Sequence, residues 1–338
     1  MLFFLSMVYL NFRMVVECQL CPKQCRLREG ERGNCRVRVN IEGKLISLVY
    51  GHPCAIHIDP IEKKPLFHFY PGSMILSLAT AGCNLHCKNC QNWQISQSNP
   101  EDIPAYKLSP QQIVQITLRK NCKMIAYTYT EPLTFYEYTL DTSIIAKKHN
   151  LKNVLVTAGY LNRKPLKKLY SVIDAANVDL KFFDDEMYRK ITTATLSPIL
   201  DGLILAKEMN VWLEITHLII PTLNDDFFLI EKMCQWIKNN LGDDVPLHFS
   251  RFYPHYLLKN LPPTPLKTLK RAAKIAKEVG LKFVYIGNVW GSDAENTYCP
   301  YDGKLLIRRV GYTILEYNLT PQGRCKYCGN FIPGRWGN

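Results

Sequence analysis

From about residue 74 the chain alternates short runs of nearly continuous apolar residues with stretches whose apolar positions recur every three or four residues. The first kind predicts strands at ILSLAT (75–80), MIAYTYT (124–130), NVLVTAG (153–159), NVDLKFF (177–183), VWLEITHLII (211–220), PLHFSRF (246–252) and KFVYIG (282–287). Strands apolar on both faces are covered on both faces. The second kind predicts helices with readable ends. Ser109, Pro110 and Gln112 form an N-cap, a first-turn proline and a capping-box partner, and Gly280 closes the helix that starts near 265. Such alternation implies right-handed βαβ units and a parallel sheet, either open and doubly wound or curled into a barrel. In both cases chemistry is expected at the C-terminal ends of the strands.

Two cysteine-bearing segments flank this body. Residues 18–35 read CQLCPKQCRLREGERGNC and lead into a predicted hairpin, VRVNI then KLISLVY across Glu42 and Gly43; residues 299–328 carry CPYD and CKYC. The expected organisation is a Cys-rich N-terminal segment over 1–73, an α/β body over 74–290 and a ribbon-like C-terminal segment over 291–338. The 338 residues are 47% hydrophobic, enough for a sizeable core. A net charge of +13 would suit an acidic partner, but RKPLKK (163–168) and KTLKRAAKIAK (267–277) interleave their charges with apolar residues at helical spacing and read as solvated helix faces. The opening MLFFLSMVYLNFR lacks a basic region and a cleavage site and is too short to span a bilayer, which leaves Met14 as a competing start.

Ten of the thirteen cysteines fall in three groups, the pattern of metal binding in a reducing cytoplasm rather than of disulfides. Cys83, Cys87 and Cys90, at the end of the first strand of the body, are one ligand short of a closed site. Three thiolates on a [4Fe-4S] cluster leave one iron open to chemistry; the competing reading is zinc completed by His86 or a distant residue. Cys18, Cys21, Cys25 and Cys35 are a complete set of four, for zinc or for a second iron–sulfur cluster. Cys299, Asp302, Cys325 and Cys328 read as a zinc ribbon with aspartate in place of one thiolate. Cys54, Cys122 and Cys234 are isolated.

Cys-x3-Cys-x2-Cys after a first strand resembles the radical S-adenosylmethionine (SAM) superfamily, whose fold is a partial (β/α)6 TIM-like barrel. The stretches DPIEKKPLFHFYPGS (59–73), GCNLHCKNCQNWQIS (82–96), LEITHLIIPTLND (213–225), HFSRFYP (248–254) and YIGNV (285–289) resemble the radical SAM member of the AmmeMemoRadiSam system, related to pyruvate formate-lyase activating enzymes. The resemblance implies six barrel strands between 75 and 252, with 282–287 added. It also implies a [4Fe-4S] cluster on Cys83, Cys87 and Cys90, chelated by SAM, whose reductive cleavage gives a 5′-deoxyadenosyl radical for hydrogen abstraction from a protein or peptide. Thr130 and Glu131, in YTYTEP, take the place of the superfamily's glycine-rich turn beside the methionine amino group. Asp179 and Lys181 match the D-x-K that holds the methionine carboxylate. Asn89 stands where the superfamily has an adenine-packing aromatic, a role that Trp93 would take over.

Glu214, His217, His248, Arg251 and Asn288, near later strand ends, are the substrate-facing candidates, although strand alternation forbids 248 and 251 from both pointing inward. The DPIEKKP segment reads as an active-site or partner-binding loop, with His57 and His68 nearby. The implied partners are a flavodoxin- or ferredoxin-type electron donor and Memo-type and AMMECR-type proteins. Competing readings are radical modification of a small molecule or RNA, and a zinc-knuckle nucleic-acid-binding protein without SAM chemistry.

Overall fold

The structure, a computed structural model, describes residues 15–337; the competing start at Met14 lies outside them. Its centre is an eight-stranded sheet: β1 (Ala55–Pro60), β2 (Met74–Ala79), β3 (Met124–Tyr127), β4 (Lys152–Thr157), β5 (Ala175–Asp179), β6 (Trp212–Ile219), β7 (Leu247–Arg251) and β8 (Val284–Gly287), hydrogen-bonded in that order. β2 to β8 are parallel, as the alternation predicts, and β1 is antiparallel to β2. Helices cross over between successive strands. Ser109 caps its helix through a reciprocal capping box with Gln112, and Gly280 ends the helix Leu266–Val279 at φ +105°. The sheet curls as a partial barrel, and its outer face (Leu76, Ile125, Leu155, Ala176, Ile215, Phe249) joins the main core with the helices.

The inner face is filled from the N-terminal ends of the strands. Ile61, Leu66 and Phe69, on the segment joining β1 to β2, pack against Ile75, Met124, Ala126, Val154 and Ala175 inside the barrel. The sequence reads DPIEKKP as an active-site or partner-binding loop; the structure packs the segment against the inner face of the sheet. Asp59 and Pro60 end strand β1, and Lys64 is buried with its Nζ 2.6 Å from Asp59 Oδ2. Asp59 and Lys64 turn inward and pair; desolvation alone would be costly, and pairing offsets it.

The C-terminal segment closes over this plug. Its antiparallel strands Leu305–Val310 and Thr313–Tyr317 share an apolar cluster with Phe67, Phe283 and Tyr285. Arg309, fully enclosed, donates to Phe67 O at 2.9 Å and to Thr297 Oγ1 at 2.8 Å. The predicted hairpin forms as Arg38–Ile41 with Lys44–Ser47.

Candidate functional site

Strand β2 ends at Ala79 and the chain turns through Gly82, at φ +82°, where a β-carbon would stand 2.5 Å from Cys35 O. Only glycine fits that approach. Cys83 and Cys87 follow, buried, and Cys90 is half-buried beside Ser96 Oγ at 3.2 Å. Burial pushes the Cys83 thiol well up and the Cys87 thiol up to about 12, so thiolates persist here only against a compensating cation. The donor set fits iron–sulfur ligation by three thiolates. His86 does not complete it: its ring nitrogens lie 2.7 Å from Gln97 Oε1 and 2.8 Å from Asn34 Oδ1.

The neighbouring strand ends supply polar groups. Glu131, after β3, is buried and accepts from Ala158 N at 2.7 Å, from Leu133 N at 3.2 Å and from the Thr157 hydroxyl. Burial raises its pKa to about 7, against those hydrogen bonds. Thr130 Oγ1 donates to Thr80 O at 3.0 Å, tying the turn to the strand that leads into the cysteine loop. At the end of β5, Lys181 Nζ lies 2.9 Å from Asp179 Oδ2. Burial alone would lower the lysine pKa, but Asp179 and Cys87 outweigh it and raise it, so the ammonium is permanent. Two carboxylates, Glu131 and Asp179, and the Lys181 ammonium thus lie beside the cysteine loop, groups complementary to the amino and carboxylate groups of an amino acid.

The lack of glycine in YTYTEP is met by strain. Tyr129 adopts φ +64°, a conformation costing about 1–2 kcal/mol outside glycine. It is held by Asn92 Nδ2 on its carbonyl at 2.8 Å, by a hydrogen bond from its hydroxyl to Asp59, and by Lys64 Nζ 4.5 Å from its ring centroid. Sequence reasoning missed Tyr129; an aromatic at the turn where the resemblance implied glycine was the available signal. His57 is exposed and edge-on to the same ring at 5.8 Å.

The later-strand candidates divide. Glu214 points inward but is consumed by structure, accepting from Phe67 N at 2.9 Å, His68 N at 2.8 Å, Trp212 Nε1 at 3.0 Å and His248 Nε2 at 2.7 Å. Burial would raise its pKa; the His248 hydrogen bond and charge and the backbone donors outweigh that and lower it. His217 is on the opposite face of β6, its Nδ1 donating to Leu180 O at 2.7 Å among Phe182, Leu223, Ile230 and Met233. Arg251 pairs in register with Ile219 and donates from Nε to Thr264 O. Alternation therefore sends His248 inward and Arg251 outward, and neither His217 nor Arg251 faces the barrel interior, contrary to their reading as substrate-facing groups. Asn288 is exposed and holds Arg251 O at 2.8 Å. Trp93 is partly exposed and stacks on Tyr256, with ring centroids 5.1 Å apart.

At the base of the barrel, Cys299, Asp302, Cys325 and Cys328 place their ligand atoms all within 4.8 Å of one another, and among the described residues no other three such side chains gather so tightly. Cys299 Sγ is 3.6 Å from Cys328 Sγ, and Cys325 Sγ is 3.8 Å from Asp302 Oδ2. Sulfurs bound at about 2.3 Å to one tetrahedral zinc stand roughly 3.8 Å apart. Cys18, Cys21, Cys25 and Cys35 line one pocket beside the central cysteine loop.

Residues 77–234 match the family model described as the Radical SAM superfamily. Uncharacterized protein MJ0808 of Methanocaldococcus jannaschii is 48% identical over 94% of this chain and 95% of its own length. The pyruvate formate-lyase-activating enzyme of Clostridium pasteurianum is 23% identical over 59% of this chain and 88% of its own. In fold, the chain is similar to Streptococcus suis SuiB bound to S-adenosylmethionine, with a TM-score of 0.50 at 11% identity, covering 72% of this chain and 56% of that one.

Proposed function

The chain belongs to the radical SAM superfamily and is related to activating enzymes of the pyruvate formate-lyase type, and from that premise we propose that it abstracts hydrogen from a protein or peptide substrate, as an activase does. When bound, a [4Fe-4S] cluster would supply the electron for reductive cleavage of SAM, the source of a 5′-deoxyadenosyl radical. Cys83, Cys87 and Cys90 would hold three irons. Glu131 would accept from the methionine amino group and Lys181, steadied by Asp179, would donate to its carboxylate, orienting SAM beside the three cysteines. Thr130 keeps the Glu131 turn in place, and Trp93 with Tyr256 offers an aromatic wall for adenine. The plug formed by Ile61, Leu66 and Phe69 closes the barrel from below and excludes water from that side.

The observation that carries this reading is that three cysteines open off the first parallel strand with His86 engaged elsewhere, facing Glu131 and Lys181. The test is anaerobic reconstitution with iron and sulfide, dithionite reduction with SAM, and quantification of 5′-deoxyadenosine beside Cys83→Ala, Cys87→Ala and Cys90→Ala. Cleavage in the parent alone is expected; a fully loaded parent whose yield equals that of the variants would overturn it.

The stretches that resemble the AmmeMemoRadiSam enzymes support Memo-type and AMMECR-type proteins as partners and a flavodoxin- or ferredoxin-type donor in the cytoplasm. A pull-down from native anaerobic extract tests this, and recovery of neither protein counts against it. The C-terminal Cys3Asp set supports a structural zinc that fixes the ribbon against the plug. Among the described residues no helix is long and apolar enough to cross a membrane.

A further inference from the structure

The four N-terminal cysteines are brought to the wall of the central site. They line one pocket whose other side includes Asn84, next in the chain to Cys83, and Leu133 and Thr134, just beyond Glu131. Three contacts lock the two cysteine loops together: His86 with Asn34 at 2.8 Å, Gly82 against Cys35 O, and Lys23 Nζ with Thr193 O at 2.8 Å, on the loop whose Thr192 O receives His86 N.

The spacing of the ligand atoms separates the N-terminal set from the C-terminal one. Where four ligand atoms serve one ion they crowd together, as the C-terminal set does within 4.8 Å; among the described residues no three of the N-terminal sulfurs do so. A cubane needs the opposite arrangement, because each cysteine binds a different iron. Gly33 leaves the space open: a β-carbon there would stand 3.6 Å from Cys35 Sγ and 3.9 Å from Cys25 Sγ. A branched side chain would reach between those sulfurs. Lys23 lines the pocket wall beside Arg38, which is paired with Glu137 at 2.7 Å, and Asn34 N donates to Cys25 Sγ at 3.4 Å.

We propose that Cys18, Cys21, Cys25 and Cys35 bind a second iron–sulfur cluster, adjacent to the first and on the path by which its electron arrives. One electron from a flavodoxin- or ferredoxin-class donor reduces the outer cluster from 2+ to 1+. Its reoxidation reduces the inner cluster from 2+ to 1+, with no bond made or broken. The relay rests on the radical SAM reading; the cluster site does not.

The full-length chain carrying Cys83→Ala, Cys87→Ala and Cys90→Ala, reconstituted anaerobically, tests the site alone. About four irons and four sulfides per chain are expected. An additional zinc without iron or sulfide, in protein whose circular dichroism matches the parent, overturns the proposal, as does no metal beyond that of the C-terminal set. Gly33→Val, which spares every cysteine, is expected to lose about half the parent's iron; full retention counts against the pocket. For the relay, the variant with all four N-terminal cysteines changed to serine is expected to keep the central cluster and dithionite-driven SAM cleavage while losing at least tenfold with flavodoxin as donor. An unchanged flavodoxin rate overturns the relay. A loaded parent that fails even with dithionite overturns the proposed reaction, and the iron count of the first variant still decides the cluster.

Discussion

Glu214 and His248, on adjacent strands, meet at 2.7 Å inside the barrel, and the same carboxylate binds the backbone of Phe67 and His68. The pair clamps the plug to the sheet. Glu214→Ala leaves four donors, three of them buried, without an acceptor and is expected to destabilise the fold by on the order of 3–5 kcal/mol in chemical denaturation. The site lies at the other end of the strands, so iron per folded chain should match the parent; loss of iron from still-folded Glu214→Ala would show that the pair acts on the cluster.

His68 is expected to make stability fall in mild acid. Burial lowers its pKa to about 4, and its neutral ring bridges Pro333 O at 2.7 Å and the Tyr285 hydroxyl at 2.6 Å. Below the ordinary value near 6.5 the unfolded chain takes up a proton that the folded chain refuses. The contribution, on the order of 3 kcal/mol, is therefore present above pH 6.5 and lost as pH falls toward 4. Melting temperatures across that range should drop less steeply for His68→Asn than for the parent, and identical slopes would remove His68 from the account.

Lys181 should matter for SAM affinity and little for stability. Lys181→Met keeps the aliphatic stem but removes the charge facing Cys87 and Asp179. Affinity for SAM, measured by calorimetry on the reconstituted protein, is expected to fall about tenfold or more, ~1.4 kcal/mol, with melting within a few degrees of the parent. Unchanged affinity would place the methionine carboxylate elsewhere.

Asp302 sets how firmly the ribbon holds its ion. Lys304 N donates to Oδ1 at 3.0 Å, leaving Oδ2 for the metal beside Cys325. Asp302→Cys supplies a fourth thiolate and should slow zinc loss to a chelator several-fold, whereas Asp302→Ala should accelerate it. Equal rates in all three proteins would mean that Asp302 is no ligand.

Much of this protein was written in local pattern. The apolar runs located all seven parallel strands because strands buried on both faces are mostly apolar, and the few polar residues they carry, such as Glu214 and His248, are paired. The capping residues marked helix ends because unpaired backbone groups need specific partners, and the cysteine spacing marked the loop as a metal-ligand set. What the sequence could not decide was direction and company. Whether His217 or His248 entered the barrel depended on register, where one residue reverses the face. That Asp59 and Lys64 would be buried, and that Tyr129 would take a glycine's conformation, depended on partners far along the chain. Closure of the barrel alone brought the N-terminal cysteines against Asn84, because long-range contacts arise only once the strands have fixed where each loop emerges.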